Sequence, residues 1–390
     1  MSSREVDLLA RVLYEVVKRR VSLDVAFKRV CRERCARGLE ERERLYQLCR
    51  RFVSDYVKLL CYVGSRRVSY RELARLWLRG SLPEPEEPYC RLSTPRWLYE
   101  RVSSLLGKGE VERLFRAFEE RSWWLRVNTF RGSVEGVVRE LEGEGVELEV
   151  HRELPYMVRV LRSPKPVRLL KAVREFRAVP QDIASAVAVE YLDVRPGEVV
   201  LDMCAAPGVK TSLISMLSGG EARVVAVDLS RRRLIAAKHL LRRLGVPETS
   251  VSLVLADSTH INIRSVDKVL LDAPCSNSGA IGKDPGIKAT LTPGKVEFYR
   301  STQLRLLAKA LQLSDLVVYS VCSILPEEGE EVVTRALATY EGFGVTPHRL
   351  AKICSTGYPG YLVSSSVCRM FPHTHLSDGF FIARLVRSSS

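Results

Sequence analysis

Apolar residues in the first eighty positions recur at spacings of three and four. Val6, Leu9, Ala10, Leu13 and Val17 form one stripe, and Leu23, Ala26, Phe27 and Val30 a second. A third run, over 40–62, aligns Leu45, Leu48, Phe52, Tyr56, Leu59 and Leu60. This spacing gathers apolar side chains on one helix face and predicts a small helical bundle. Leu82-Pro-Glu-Pro-Glu-Glu-Pro88 breaks any helix three times and reads as a linker. Beyond it the pattern predicts a helix over 97–120, a strand over 124–128 and a helix over 134–142 that Gly143 and Gly145 end. Short alternating segments at 146–150 and 157–161 complete a small α+β module. From about Val179 strands alternate with helices. Strands are expected at 199–203, 223–228, 252–256, 268–272 and 316–319, with a late one at 380–385. Helices fall near 185–191, 210–217, 231–244 and 297–313. That rhythm predicts a parallel, doubly wound α/β sheet.

Composition changes little: 46% hydrophobic and 27% charged residues are ordinary for a folded chain, and 390 residues suffice for two or three domains. No run of about 18 apolar residues occurs, which predicts no membrane span. Met1 leads into Ser-Ser-Arg-Glu-Val-Asp without an apolar signal core, so the expected location is the cytoplasm. Charge adds more. The formal net charge is +15, and residues 1–92 carry 21 basic and 13 acidic side chains. Arg32, Arg34, Arg37, Arg42, Arg44, Arg50 and Arg51 cluster on the third helical run and the turn before it. Such an excess favours a polyanionic partner. Three Asn and four Gln in the whole chain, beside abundant Arg, fit a thermophile. Ten cysteines are scattered without a C-x-x-C pair, and no metal-ligand spacing is present. Cys31 and Cys35 read as small buried residues.

The candidate chemistry lies at strand ends, where open parallel sheets bind ligands. The first strand runs into Cys204-Ala205-Ala206-Pro207-Gly208-Val209-Lys210. Small residues here allow close approach of a ligand, and the following helix offers free amides. The glycine pattern of a dinucleotide site is absent, and Val209 stands where a phosphate-binding loop needs Gly. Asp228 ends the second strand and suits a ribose diol; Asp257, after the third, could receive an amino group. Together these positions predict an adenosyl ligand without phosphates, S-adenosylmethionine. The fourth strand ends in Asp272-Ala-Pro-Cys275 and the fifth in Tyr319-Ser-Val-Cys322. Either cysteine alone reads as a small buried residue. Two thiols at one rim beside a methyl donor point instead to a covalent step. Carbon-5 of cytosine needs one: a thiolate adds to carbon-6 and makes carbon-5 nucleophilic. A cationic neighbour such as Lys210 would favour the thiolate, and Asp272 could hold the base.

Asp202–Thr211, Asp272–Gly279 and Tyr319–Glu331 resemble the signature segments of the RsmB/Sun-type RNA cytosine carbon-5 methyltransferases. Arg126-Val-Asn-Thr129, Pro180-Gln-Asp-Ile-Ala-Ser185 and the segment from Asp378 to Leu385 do so as well. The resemblance implies a Rossmann-like class I methyltransferase domain over 176–390 and a small RNA-recognition-like module over 93–175. It also implies that Cys322 attacks the base while Cys275 releases the product. Residues 1–88 resemble the all-α NusB-like RNA-binding domain of some members, which favours rRNA over tRNA as substrate. Four positions depart from the family pattern: Val209, Asn277, Gly329 and Ala289. They motivate the alternative of an RNA-binding scaffold with a degenerate catalytic domain. Methylation of DNA or of another base is a third reading. A monomer is expected.

Overall fold

The computed structural model describes residues 3–32, 35–80 and 83–388. Arg34 of the basic run and Leu82 of the linker lie outside the described residues. The chain divides into two compact units: Met1–Arg121 with Asn277–Lys295, and Ser122–Ser276 with Val296–Ser390.

The first unit is helical. α1 (Ser3–Arg19), α2 (Leu23–Val30), α3 (Leu39–Ser54), α4 (Tyr56–Val63) and α5 (Tyr70–Arg79) enclose a core that includes Leu9, Leu13, Val16, Phe52, Leu59 and Leu73. The stripe over 40–62 is two helices. Asp55, at φ −83° and ψ 4°, ends one and starts the next, and its carboxylate accepts a 2.7 Å hydrogen bond from Trp77 Nε1. The apolar period survives this break because a single bent residue barely changes which face turns inward. Ser69 and Glu72 cap α5 reciprocally. The run over 97–120 also divides, into helices Arg96–Leu106 and Lys108–Ala117, at Gly107 with φ +83°. A disulfide joins Cys61 to Cys90, and another joins Cys31 to Cys35, so Cys31 and Cys35 are a cross-link rather than simply small buried residues, with Cys31 and Cys90 the buried partners.

The excursion Asn277–Lys295 packs among these helices. Asp284 accepts hydrogen bonds from the backbone amides of Leu23 (3.2 Å) and Gly286 (3.0 Å). A Cβ at Gly286 would lie 2.8 Å from Val16, so only glycine fits there. Lys288, 3% exposed, pairs with Glu119 at 2.7 Å. Burial raises the pKa of the Glu119 carboxyl, but Lys288 and Ser54 outweigh it and hold the group below its usual range.

The second unit contains two sheets. The smaller is antiparallel, in the order β2–β3–β1–β4, from β1 (Trp123–Val127), β2 (Glu147–Val150), β3 (Met157–Arg162) and β4 (Ala178–Pro180). Side chains alternate along β1: Leu125 and Val127 enter a core with Val137, Leu141 and Val158, while Trp124 joins a cluster with Ile183 and Leu213. The larger sheet has β5 (Val199–Asp202), β6 (Arg223–Asp228), β7 (Val251–Leu255), β8 (Lys268–Asp272) and β9 (Leu316–Val321), all parallel. β10 (Phe343–Val345), β11 (Cys368–Met370) and β12 (Phe380–Arg387) extend one side, antiparallel. The order β10–β12–β9–β8–β5–β6–β7 reverses direction of growth between β5 and β8. The sheet is therefore mixed at one edge, where the alternation pattern predicted only a late strand. β10 and β11 are three residues each, too short to leave a period. A third disulfide links Cys354 to Cys368.

Candidate active site

The crevice at a reversal of strand order is where such sheets bind ligands, and the predicted residues gather at the carboxyl ends of β5, β6, β8 and β9. After β5 the chain turns through Cys204, Ala205 and a cis Ala206–Pro207 bond to Gly208, at φ +97°. A Cβ on Gly208 would sit 3.3 Å from that of Ala237, which restricts the position to glycine on both counts. The helix Val209–Leu217 follows. Val209 packs with Val179, Leu241 and Val246. Its side chain thus belongs to a structural cluster. Burial pushes the Cys204 thiol far up, with Asp202, Asp272 and Asp228 adding to it.

Asp228 is 4% exposed. Its carboxylate accepts from the amides of Ala206 (3.2 Å) and Ser230 (2.9 Å), and Arg233 pairs with it at 3.3 Å. Arg233 also donates to the carbonyl of Ala206. Asp257 follows β7 and is turned onto its own loop. It accepts from the Thr259 hydroxyl and amide and pairs with His260. The Thr259 hydrogen bonds hold its carboxyl below the usual range.

Lys210 and Asp272 form an ion pair at 2.8 Å, and Ser320 donates to the other Asp272 oxygen at 3.0 Å. Burial works against the Lys210 charge, but Asp272 outweighs it and raises the pKa; Cys322 and Asp202 act in the same direction. Lys210 Nζ lies 5.6 Å from the centre of the Phe380 ring. Burial pushes the Asp202 carboxyl up to about 7. The two thiols are adjacent, with Cys275 Sγ and Cys322 Sγ 3.2 Å apart. Cys275 is 4% exposed, whereas Cys322 is half-buried. Lys210, Asp272, Cys275 and Cys322 thus form one cluster, with Asp228 placed at the next strand end and Asp257 exposed at the rim.

Sequence reasoning missed the residues beneath this cluster. Glu328 is fully buried and accepts hydrogen bonds from the Ser276 amide (2.7 Å), the Ser323 hydroxyl (2.6 Å), the Ser276 hydroxyl and Gln303 Nε2 (3.2 Å). Burial still leaves its carboxyl raised. Arg369, also fully buried, pairs with Glu330 and donates to the carbonyls of Ser323 (3.1 Å) and Leu325 (3.3 Å). Its guanidinium lies 4.3 Å from the Tyr358 ring centre and 5.0 Å from that of Phe381. The acidic run Glu327-Glu328-Gly329-Glu330 after a thiol was the available signal, since carboxylates are rarely buried unpaired. Nothing in the sequence pairs Arg369 with it.

Fold and site together define a Rossmann-like methyltransferase domain joined to a small antiparallel module and a helical region. The model for the 16S rRNA methyltransferase RsmB/F family matches residues 189–386, and that for the RsmF/B-like ferredoxin-like domain matches 94–168. The chain belongs to this RsmB/F family. Ribosomal RNA small subunit methyltransferase B of Pectobacterium carotovorum subsp. carotovorum (strain PC1) is 32% identical over 302 residues, 75% of this chain and 66% of that protein. The chain therefore spans about two thirds of that relative's length. Among solved structures, that of PH0851 matches with TM-score 0.80 at 24% identity over 99% of both chains, which shows the shared fold. A methyltransferase homologue protein from Pyrococcus horikoshii matches with TM-score 0.68 at 29% identity, over 77% of this chain and 97% of that one.

Proposed function

We propose that this protein transfers a methyl group from S-adenosylmethionine to carbon-5 of cytosine in RNA, by way of a covalent bond between Cys322 and carbon-6. The observation that carries the proposal is the 3.2 Å separation of the two thiols on adjacent strand ends, beside the Lys210–Asp272 pair.

The residues present fit the cofactor. The loop Cys204-Ala205-Ala206-Pro207-Gly208 is small, Gly208 brings it close to the Asp228 carboxylate, and Val209 and Lys210 open a helix whose amides face outward along the axis. Asp228 would hold the ribose hydroxyls through Oδ1, which keeps a lone pair beyond the one used by Ser230, while Oδ2 takes the Ala206 amide and Arg233. Asp257 would meet the adenine amine. S-adenosylmethionine supplies an electrophilic methyl group when bound.

The protein's own groups do the rest. Cys322, the more exposed thiol, gives its proton to solvent and adds through sulfur to carbon-6 of the base; the carbon-5/carbon-6 electron pair becomes available at carbon-5. Lys210 favours the thiolate electrostatically. Asp272, held by Lys210 and Ser320, accepts hydrogen bonds from the cytosine amine or the protonated ring nitrogen. After methylation, Cys275, which serves as the base in its thiolate form once its own proton has passed to solvent, takes the carbon-5 proton, and the electrons of that C–H bond expel the Cys322 thiolate and restore the ring. The helical segment 1–88 and the module 93–175 carry the RNA, with ribosomal RNA favoured over transfer RNA. The protein works as a cytoplasmic monomer.

The four departures from the family pattern have structural accounts, so a degenerate scaffold is not favoured. Val209 packs into an apolar cluster, and Asn277 occupies the left-handed region (φ +59°) that Asn tolerates. Gly329 is required by Arg369 and Phe381, each within 2.9 Å of where its Cβ would stand. Ala289 packs with the helical core.

The test compares wild type, Cys322→Ala and Cys275→Ala on unmodified RNA with labelled cofactor. Cys322→Ala should lose both methylation and denaturation-resistant adduct. Cys275→Ala should accumulate adduct. Adduct that requires Cys275 but not Cys322 exchanges the roles. Absence of methylation and of adduct in wild type, across rRNA and tRNA, overturns the proposal.

A further inference from the structure

The β8–β9 ladder pairs residues as far as Asp272 with Ser320, followed by a 2.9 Å hydrogen bond from the Ala273 amide to the Ser320 carbonyl. Both thiols lie beyond that point. The paired register thus stops short of both thiols, and contacts beyond the ladder set where Cys275 stands relative to Cys322.

The Glu328 side chain joins them. Glu328 accepts from both the amide and the hydroxyl of Ser276, the residue after Cys275, and from the hydroxyl of Ser323, the residue after Cys322. Gln303 adds a second tie: its Nε2 donates to Glu328 and, at 2.9 Å, to the carbonyl of Pro274, the residue before Cys275. Tyr319 donates from its hydroxyl to the Glu328 carbonyl at 2.6 Å, which anchors the glutamate to β9. A fully buried carboxylate that takes four donors from two loops and a helix is expensive to desolvate. A well-packed apolar residue would hold this volume as well, but it would not fix the separation of two backbones through directional hydrogen bonds.

We infer that Glu328 is a positioning residue that sets the distance between the two thiols by bridging Ser276 and Ser323. Its catalytic consequence rests on the proposed use of both thiols; its geometric consequence does not.

The experiment therefore reads the geometry directly. Purified full-length protein is treated with a diazene oxidant (diamide), and formation of the Cys275–Cys322 disulfide is followed by peptide mass spectrometry. Two thiols lose two protons and two electrons, the diazene becomes the hydrazine, and one S–S bond forms. Wild type should cross-link fast, because the sulfurs start 3.2 Å apart. Glu328→Ala should cross-link about tenfold more slowly, a loss in keeping with misplacement by a fraction of an ångström. Glu328→Gln, which keeps two hydrogen-bonding atoms at the same reach, should recover most of the rate. In methyl-transfer assays the same order should appear in kcat, with KM for RNA and cofactor affinity little changed.

A Glu328→Ala rate equal to that of wild type overturns the inference, as does failure of Glu328→Gln to recover it in a protein that melts like wild type. If Glu328→Ala does not fold, the double variant Ser276→Ala/Ser323→Ala, which leaves the carboxylate but removes both hydroxyls, takes its place; an unchanged rate there also overturns it. If cross-linking follows the expected order while no protein, wild type included, methylates RNA, the bridge stands and the functional proposal falls.

Discussion

At Gly329 the neighbours impose a constraint of their own. Its φ of −112° is open to other residues, yet any Cβ would collide with the Arg369 guanidinium and the Phe381 ring. Both neighbours are fully buried and held, Arg369 by Glu330 and by two carbonyls of the Cys322 loop, so neither can retreat cheaply. Gly329→Ala should therefore cost about 1–3 kcal/mol of stability, as overpacking of a tight site does, and denaturant unfolding would measure it. A cost near zero would show that the Arg369 stack is softer than its burial implies. At Asn277 the left-handed backbone, at φ +59°, is itself a constraint.

At the scale of elements, the excursion Asn277–Lys295 is held in the helical unit by polar ties that titrate. Glu119 has its carboxyl held below the usual range by Lys288 and Ser54, although burial opposes this. A depressed folded pKa means that the unfolded chain binds protons more readily at low pH. The pair therefore contributes stability above the unfolded value of about 4.3, and that contribution is lost as pH falls through the lower folded value. Acid unfolding of wild type, followed by circular dichroism between pH 7 and 2, should show a steep stretch below about pH 4. The double variant Glu119→Gln/Lys288→Met should flatten it while costing little at neutral pH, since Glu119 keeps about half of its side chain in water, which screens the pair, and apolar volume replaces the buried Lys288. A wild-type slope retained in the double variant would place the titrating group elsewhere.

For the whole molecule, charge is the feature that reaches a partner. In the basic run expected to form an RNA surface, Arg44 pairs with Glu5 at 3.1 Å, and the other described arginines are of two kinds. Arg42 donates to the Cys31 carbonyl and lies over the Phe27 ring, and Arg50 donates to the carbonyl of Gly282 at 2.7 Å, so both support packing. Arg32, Arg37 and Arg51 are exposed. Reversal of these three to Glu should weaken RNA binding and lower its salt dependence by about 0.7 in log–log slope for each phosphate no longer neutralised, with cofactor affinity unchanged. Filter binding across a salt series would check it, and an unchanged affinity and slope would move the RNA-binding surface off this face. Helix and strand were legible from the residues alone, because burial on one face imposes a period of 3.6 or 2 on them. So was the placing of thiols, acids and the lysine at particular strand ends. What those residues meet could be read only from the folded chain. The 3.2 Å approach of the thiols, the Glu328 bridge, the Arg369 stack and the return of Asn277–Lys295 to the helical unit all join positions far apart in sequence. Such contacts depend on the order in which strands assemble, and no local period records that order.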